Sequence, residues 1–177
     1  MGYLILHGWQ GSGPDHWQTW LAERLRADGH DVRYPGLPDP DEPRLEAWLD
    51  ALDRERRPSE TVVCHSLACC LWLHHQARGG PPAERVLLVA PPCLDPPPPA
   101  IADFFPVPRD PTVGVNARLV CTDNDPYCAS AAGVYGVRLN VEIDLLPGAG
   151  HINPEAGFGP WPAVLAWCYG AKKGVET

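Results

Sequence analysis

Residues 61–70 read TVVCHSLACC, an apolar run that breaks on a histidine, a serine and a string of small residues. Thr-Val-Val-Cys fits a short strand covered on both faces, and 67–78 fits a helix stopped by Gly79-Gly80. Ser66 then stands at a strand-to-helix elbow. Such an elbow exposes the hydroxyl, and small residues two before and two after let the chain turn sharply. Here those positions are Cys64 and Ala68, small but neither glycine, where the usual pattern is G-x-S-x-G. On these residues alone two readings stay open: Ser66 is a nucleophile, or it caps the helix behind it.

The same alternation continues on either side. Segment 2–6, GYLIL, reads as a buried strand. In DHWQTWLAERLRAD, residues Trp17, Trp20, Leu21 and Leu25 fall on one helical face, with Asp15 suited to the N-cap and Gly29 to the stop. DVRYP is a short strand, and 41–55 places Leu45, Trp48, Leu49 and Leu52 in a buried stripe behind Pro43. Strands follow at 85–90 and 117–122, then a small-residue helix near 127–135. An alternating strand at 140–146 suits an edge, and 161–170 closes as a helix. Six strands alternating with helices predict a mostly parallel sheet with helices on both faces, in one domain over 1–177 with a frayed tail at 170–177. The proline-rich segment 91–111 is too irregular for regular structure, and its Phe104-Phe105 pair suggests a lid or pocket wall that touches substrate.

Composition narrows the class. The chain has 177 residues, enough for a single sizeable core, and no apolar run long enough for a membrane span. A formal net charge of −8 argues against nucleic acid, which needs clustered Lys and Arg. The start MGYLILHGWQ lacks the basic and long apolar stretches of a secretory signal, and Leu6 stands where myristoylation wants Ser or Thr. Seven cysteines, at 64, 69, 70, 93, 121, 128 and 168, form no CxxC pair and match no zinc-ligand spacing. Reduced thiols in a cytoplasmic protein are the economical reading.

In an open parallel sheet, functional groups gather beyond the carboxyl ends of the strands. HGWQGSG follows the first strand, HSLA the third, DNDP the fifth and PGAGHIN the last. Glycine, serine, carboxylate and histidine thus share one rim. His151, in a flexible turn, is the candidate base for Ser66, since a serine hydroxyl attacks only when a neighbour takes its proton. Asp125, held extended before Pro126, is the candidate orienting acid, with Asp123 as the fallback. Candidate oxyanion donors are the backbone N–H of Leu67, at a helix N-terminus, and that of Trp9, with Gln10 next. Gly8 and Gln10 would also line the substrate site. His7 orders the first loop, His65 packs or hydrogen-bonds locally, and His74 and His75 carry no assigned role.

The segments LHGWQGSGPDHWQTWL, VVCHSLACC, TDNDPY and GAGHINPEAGFGPWP together resemble the small serine hydrolases of the YdeN type. That family also holds the vertebrate retinoblastoma-binding hydrolase, and the resemblance runs almost end to end. It implies an α/β-hydrolase core without a large cap and the strand order 2-1-3-4-5-6. It also implies nucleophile, acid and base at Ser66, Asp125 and His151, and structural or pocket-lining roles for Trp17 and Trp161. The expectation is a serine hydrolase acting on a small ester or amide, needing no cofactor or metal. Its activity should fall as pH drops through the range of an unperturbed imidazole, about 6.5. Two other readings stand beside it: a scaffold that binds a protein or ligand with weak or vestigial catalysis, and a cysteine nucleophile at Cys64 or Cys128.

Overall fold

The short apolar runs become the strands of one sheet in the computed structural model, which describes residues 2–58, 60–109, 112–171, 174 and 175. The strands are β1 (Gly2–Leu6), β2 (Asp31–Arg33), β3 (Thr61–His65), β4 (Arg85–Val89), β5 (Asn116–Cys121) and β6 (Glu142–Leu145). They are all parallel, in the order β2-β1-β3-β4-β5-β6. Strands β1, β3 and β4 lie at the centre, where both faces are covered, which is why they read as nearly continuous apolar runs. β6 is an edge strand with Ile143 and Leu145 partly in water, as its alternation suggested.

Helices α1 (Trp17–Ala27) and α5 (Pro162–Cys168) cover one face of the sheet; α2 (Leu45–Glu55) and α3 (Leu67–Ala77) cover the other. The spacing of their apolar residues dictates this. Trp17, Leu21 and Leu25 pack with Tyr3, Ile5 and Val63, whereas Trp48, Leu49 and Leu52 pack with Leu4, Leu6 and Cys64. Trp17, Trp48 and Trp72 are fully buried. Truncating a ring in such a setting costs about 3–5 kcal/mol, so these three anchor the helices on which the rim depends. Among the described residues no helix is long and apolar enough to cross a membrane.

Four local expectations need correction. The N-cap of α1 is His16, not Asp15: its Nδ1 accepts the backbone N–H of Gln18 at 3.2 Å, a role an imidazole nitrogen can fill when unprotonated. The helix expected near 127–135 starts later, with a π turn at Ala132–Gly136 running into α4 (Val137–Leu139). Segment 91–111 is not wholly irregular, since Pro99–Phe104 forms a 3-10 turn; residues 110 and 111 lie outside the described residues. Of the tail expected to fray, residues 172, 173, 176 and 177 lie outside the described residues. Val175 is buried, and its N–H donates to Asp144 Oδ2 at 2.6 Å.

The cysteines also depart from the reduced reading. Cys93 and Cys128 form a disulfide, while Cys64, Cys69, Cys70, Cys121 and Cys168 are free and buried. Cys93 follows β4 and Cys128 follows β5, and these strands are neighbours, so the chain segments leaving them meet at bonding distance. Sequence spacing, 35 residues apart, carries no sign of this.

Candidate active site

Parallel strands deliver their carboxyl ends to one rim, and the register here keeps those ends level. Leu6 lies beside Cys64, His65 beside Val89, Val89 beside Val120 and Cys121 beside Leu145. The loops that follow therefore start within a residue or two of each other in height.

Ser66 takes φ 56°, ψ −125°, a conformation that costs a residue with a side chain about 1–3 kcal/mol. Two hydrogen bonds hold it there. Its N–H donates to Val89 O at 2.9 Å, extending the β3–β4 ladder, and its carbonyl accepts the N–H of Cys69 at 2.9 Å. Cys64 and Ala68 are both fully buried beside the turn, so neither flanking glycine is needed for the elbow. The glycine that matters is Gly8 on the neighbouring loop. A Cβ there would sit 2.7 Å from Ser66 Cβ and 3.2 Å from Ser66 Oγ, closer than real contacts allow. Gly8→Ala should therefore displace the hydroxyl and lower kcat by about 100-fold. An ester assay on the folded variant checks this, and activity within twofold of the parent, about the noise of such an assay, would refute the close approach.

His151 Nε2 lies 2.9 Å from Ser66 Oγ, and His151 Nδ1 lies 2.8 Å and 3.0 Å from the two oxygens of Asp125. A carboxylate only accepts, so Nδ1 carries the proton and Nε2 is left as the base facing the hydroxyl. Asp125 does a second job: its Oδ1 accepts the N–H of Tyr127 at 2.9 Å, the Asx turn that its place before Pro126 favours. Asp125 and His151 are both buried.

The loop bearing His151 is strapped down almost residue by residue. Asp123 Oδ1 accepts Gly148 N–H at 2.7 Å and Asn124 Oδ1 accepts Gly150 N–H at 2.8 Å. Thr122 Oγ1 donates to Gly150 O at 2.7 Å, and Trp17 Nε1 donates to Ile152 O at 2.9 Å. Asp123, the fallback acid, is thus occupied with Gly148. Ile152 itself has φ 49°, unusual for a β-branched residue, which explains why its carbonyl needs an anchor.

A cleft of about 540 Å³ opens over Ser66. Leu67, Pro92, Leu94 and Ile101 give it an apolar side. The loop from Trp9 to His16 forms the opposite bank, and Tyr127, Asn153 and Glu155 close the remaining edge. Leu67 is the first residue of α3, so its N–H has no carbonyl of its own helix to meet and lies at the positive end of the dipole. Trp9 lines the same cleft. Gln10 lines it too, but its N–H is spent on Pro40 O at 2.8 Å, which leaves Trp9 as the better second donor.

The structure thus brings together Ser66, Asp125, His151, Trp9, Leu67 and Gln10, with Gly8 packed beneath the elbow rather than lining the cleft. It does not bring Phe104 or Phe105. The Phe104 ring is fully buried against Trp48 at 5.2 Å, and its carbonyl accepts from His74 Nε2 at 2.9 Å. Phe105 lines a separate hollow with Val107 and Arg138. Leu94 and Ile101, on the same proline-rich segment, supply the wall instead. His7 orders the first loop as expected: its Nδ1 donates to Gly8 O at 2.8 Å and its Nε2 accepts Leu37 N–H at 2.9 Å. Neither thiol alternative fits. Cys128 is bonded to Cys93, and Cys64 is fully buried with its thiol pushed up by desolvation. Among the described residues no group of three or more His, Cys, Asp or Glu is arranged to hold a metal ion.

Sequence reasoning passed over Tyr127, whose ring meets that of His151 edge-on at 4.5 Å, and Thr122 and Asn124. All three stand in TDNDPY, so the run of polar residues straight off a rim-facing strand was the available signal.

A parallel sheet in this order, with a serine on the elbow after its third strand, defines an α/β-hydrolase. The family model described as serine hydrolase matches residues 3–169, and the chain belongs to that family. It is 41% identical to YdeN of Bacillus subtilis (strain 168) over 68 residues, a match spanning 37% of this chain and only 36% of that relative. The crystal structure of the B. subtilis ydeN gene product superposes with a TM-score of 0.81 at 21% identity, covering 95% of this chain and 96% of that one. A YdeN-like hydrolase from Pectobacterium atrosepticum gives 0.78 at 24% identity, over 94% and 88% of the two chains. Mouse alpha/beta hydrolase domain-containing protein 10 gives 0.65 at 14%, over 85% and 81%.

Proposed function

We propose that the protein hydrolyses a small ester or amide through Ser66, His151 and Asp125, in the manner of a carboxylesterase. The observation that carries this reading is the unbroken chain of contacts from Ser66 Oγ through the His151 ring to Asp125. Ser66 Oγ attacks the acyl carbon while its proton passes to His151 Nε2. Asp125 stabilises the imidazolium that results. The oxyanion is met by the N–H groups of Leu67 and Trp9, each worth about 3 kcal/mol in such a site. The Nε2 proton then goes to the leaving group. Water, deprotonated by the same nitrogen, releases the acyl group from Ser66 and restores the enzyme.

The apolar side of the cleft favours a short uncharged acyl portion lying along Leu94 and Ile101. No lysine or arginine stands among the described lining residues to balance an anionic one. On this reading the partner is a small molecule, and a net charge of −8 argues against nucleic acid. The five free, buried thiols favour a cytoplasmic setting, whereas the Cys93–Cys128 disulfide weighs against it. A fluorophosphonate probe tests the reading: it should label the protein covalently at Ser66 at neutral pH. A folded protein that stays unlabelled would leave only a binding scaffold that uses this fold without its chemistry.

A further inference from the structure

The cleft has a buried neighbour that the reaction scheme does not use. His65 ends β3, one residue before the proposed nucleophile, on the sheet face opposite Cys64 and turned toward α1. It is almost wholly buried, and its Nε2 lies 3.0 Å from the backbone carbonyl of His151. A carbonyl can only accept, so this nitrogen donates. His65 is thus fixed as the Nε2–H tautomer. Its ring stands 5.0 Å from the ring of His151, 4.8 Å from that of His16 and 5.8 Å from that of Trp17.

The contact completes the straps on the catalytic loop. Thr122 takes the carbonyl of residue 150 and Trp17 that of residue 152; His65 takes the one between them, on the base itself. We propose that His65 is a positioning residue for His151, its Nε2–H holding the His151 carbonyl so that the ring stays between Ser66 and Asp125. The proposal rests on the hydrolase reading and adds a residue to it. The surroundings suit the task. The titratable groups facing His65 are His16 and His151; burial first, then both imidazoles, push the His65 pKa well below its ordinary value. An uncharged ring can hold the loop without repelling the imidazolium that forms on His151 during turnover. His16, lowered to about 4 mainly by burial, likewise adds no charge at neutral pH.

The test pairs two variants with one measurement on the unaltered protein. His65→Leu removes the donor, whereas in His65→Gln the amide nitrogen reaches the place of Nε2. With a short-chain p-nitrophenyl ester, His65→Leu should lower kcat about tenfold or more with KM little changed, and His65→Gln should recover most of the loss. Nitrogen-15 NMR of the histidines in the parent protein should show His65 as a neutral Nε2–H tautomer at pH 7. Full kcat in His65→Leu, or a folded His65→Gln as impaired as His65→Leu, would overturn the assignment. So would an Nδ1–H tautomer or an imidazolium, a result that stands even if the variants fail to fold. The tautomer is read without turnover, so its outcome is separate from a failure of the Ser66 chemistry.

Discussion

Ser66→Ala is expected to fold normally and to lose at least about 10⁴-fold in kcat toward short-chain p-nitrophenyl esters. The methyl group keeps the Cβ that already packs against Gly8, and the two backbone hydrogen bonds of the elbow do not involve the hydroxyl. Alanine pays the same conformational cost at φ 56° as serine does, so stability should change little. Only the Oγ contact with His151 disappears. Thermal melting by circular dichroism, run beside the ester assay, separates lost chemistry from lost structure. A well-folded variant with undiminished turnover would end the proposed mechanism.

Asp125→Asn should be nearly as damaging, about 10⁴-fold in kcat, and for a reason legible in the hydrogen bonds. Oδ1 of Asp125 already accepts the N–H of Tyr127, and an asparagine would place its one oxygen there. Its NH2 group would then face His151 Nδ1 and donate to it. The imidazole would have to shift its proton to Nε2, where it could no longer take one from Ser66. Asp123→Asn makes the contrast, since an amide oxygen still accepts Gly148 N–H; it should cost less than about tenfold. Equal losses in the two variants would mean that the acid has been misassigned.

Much of this arrangement was readable in the sequence. Apolar runs marked the central strands, because parallel strands covered on both faces must be apolar throughout, alternation marked the edge strand β6, and the chemistry-bearing residues fell just past four of the six strands. What stayed hidden depended on side-chain direction or on loops meeting in space. Phe104 and Ile101 share one 3-10 turn, and only its phase decides which of them reaches the cleft. Cys93 and Cys128 meet because β4 and β5 are neighbours, a fact of topology rather than spacing. His65 read as packing or bonding locally because its actual partner is a backbone carbonyl 86 positions away, which leaves no trace in residue type.

The straps between 122–124 and 148–150 carry a lesson about how such a chain can diversify. The acid and the base are tied to each other locally, so their separation does not depend on the length of what runs between them. Extra residues inserted at the exposed turn around Asn140, between α4 and β6, would meet chiefly a loop-closure penalty, about 0.6 kcal/mol for each doubling of length. New surface could be grafted on that flank while the reactive centre is inherited unchanged.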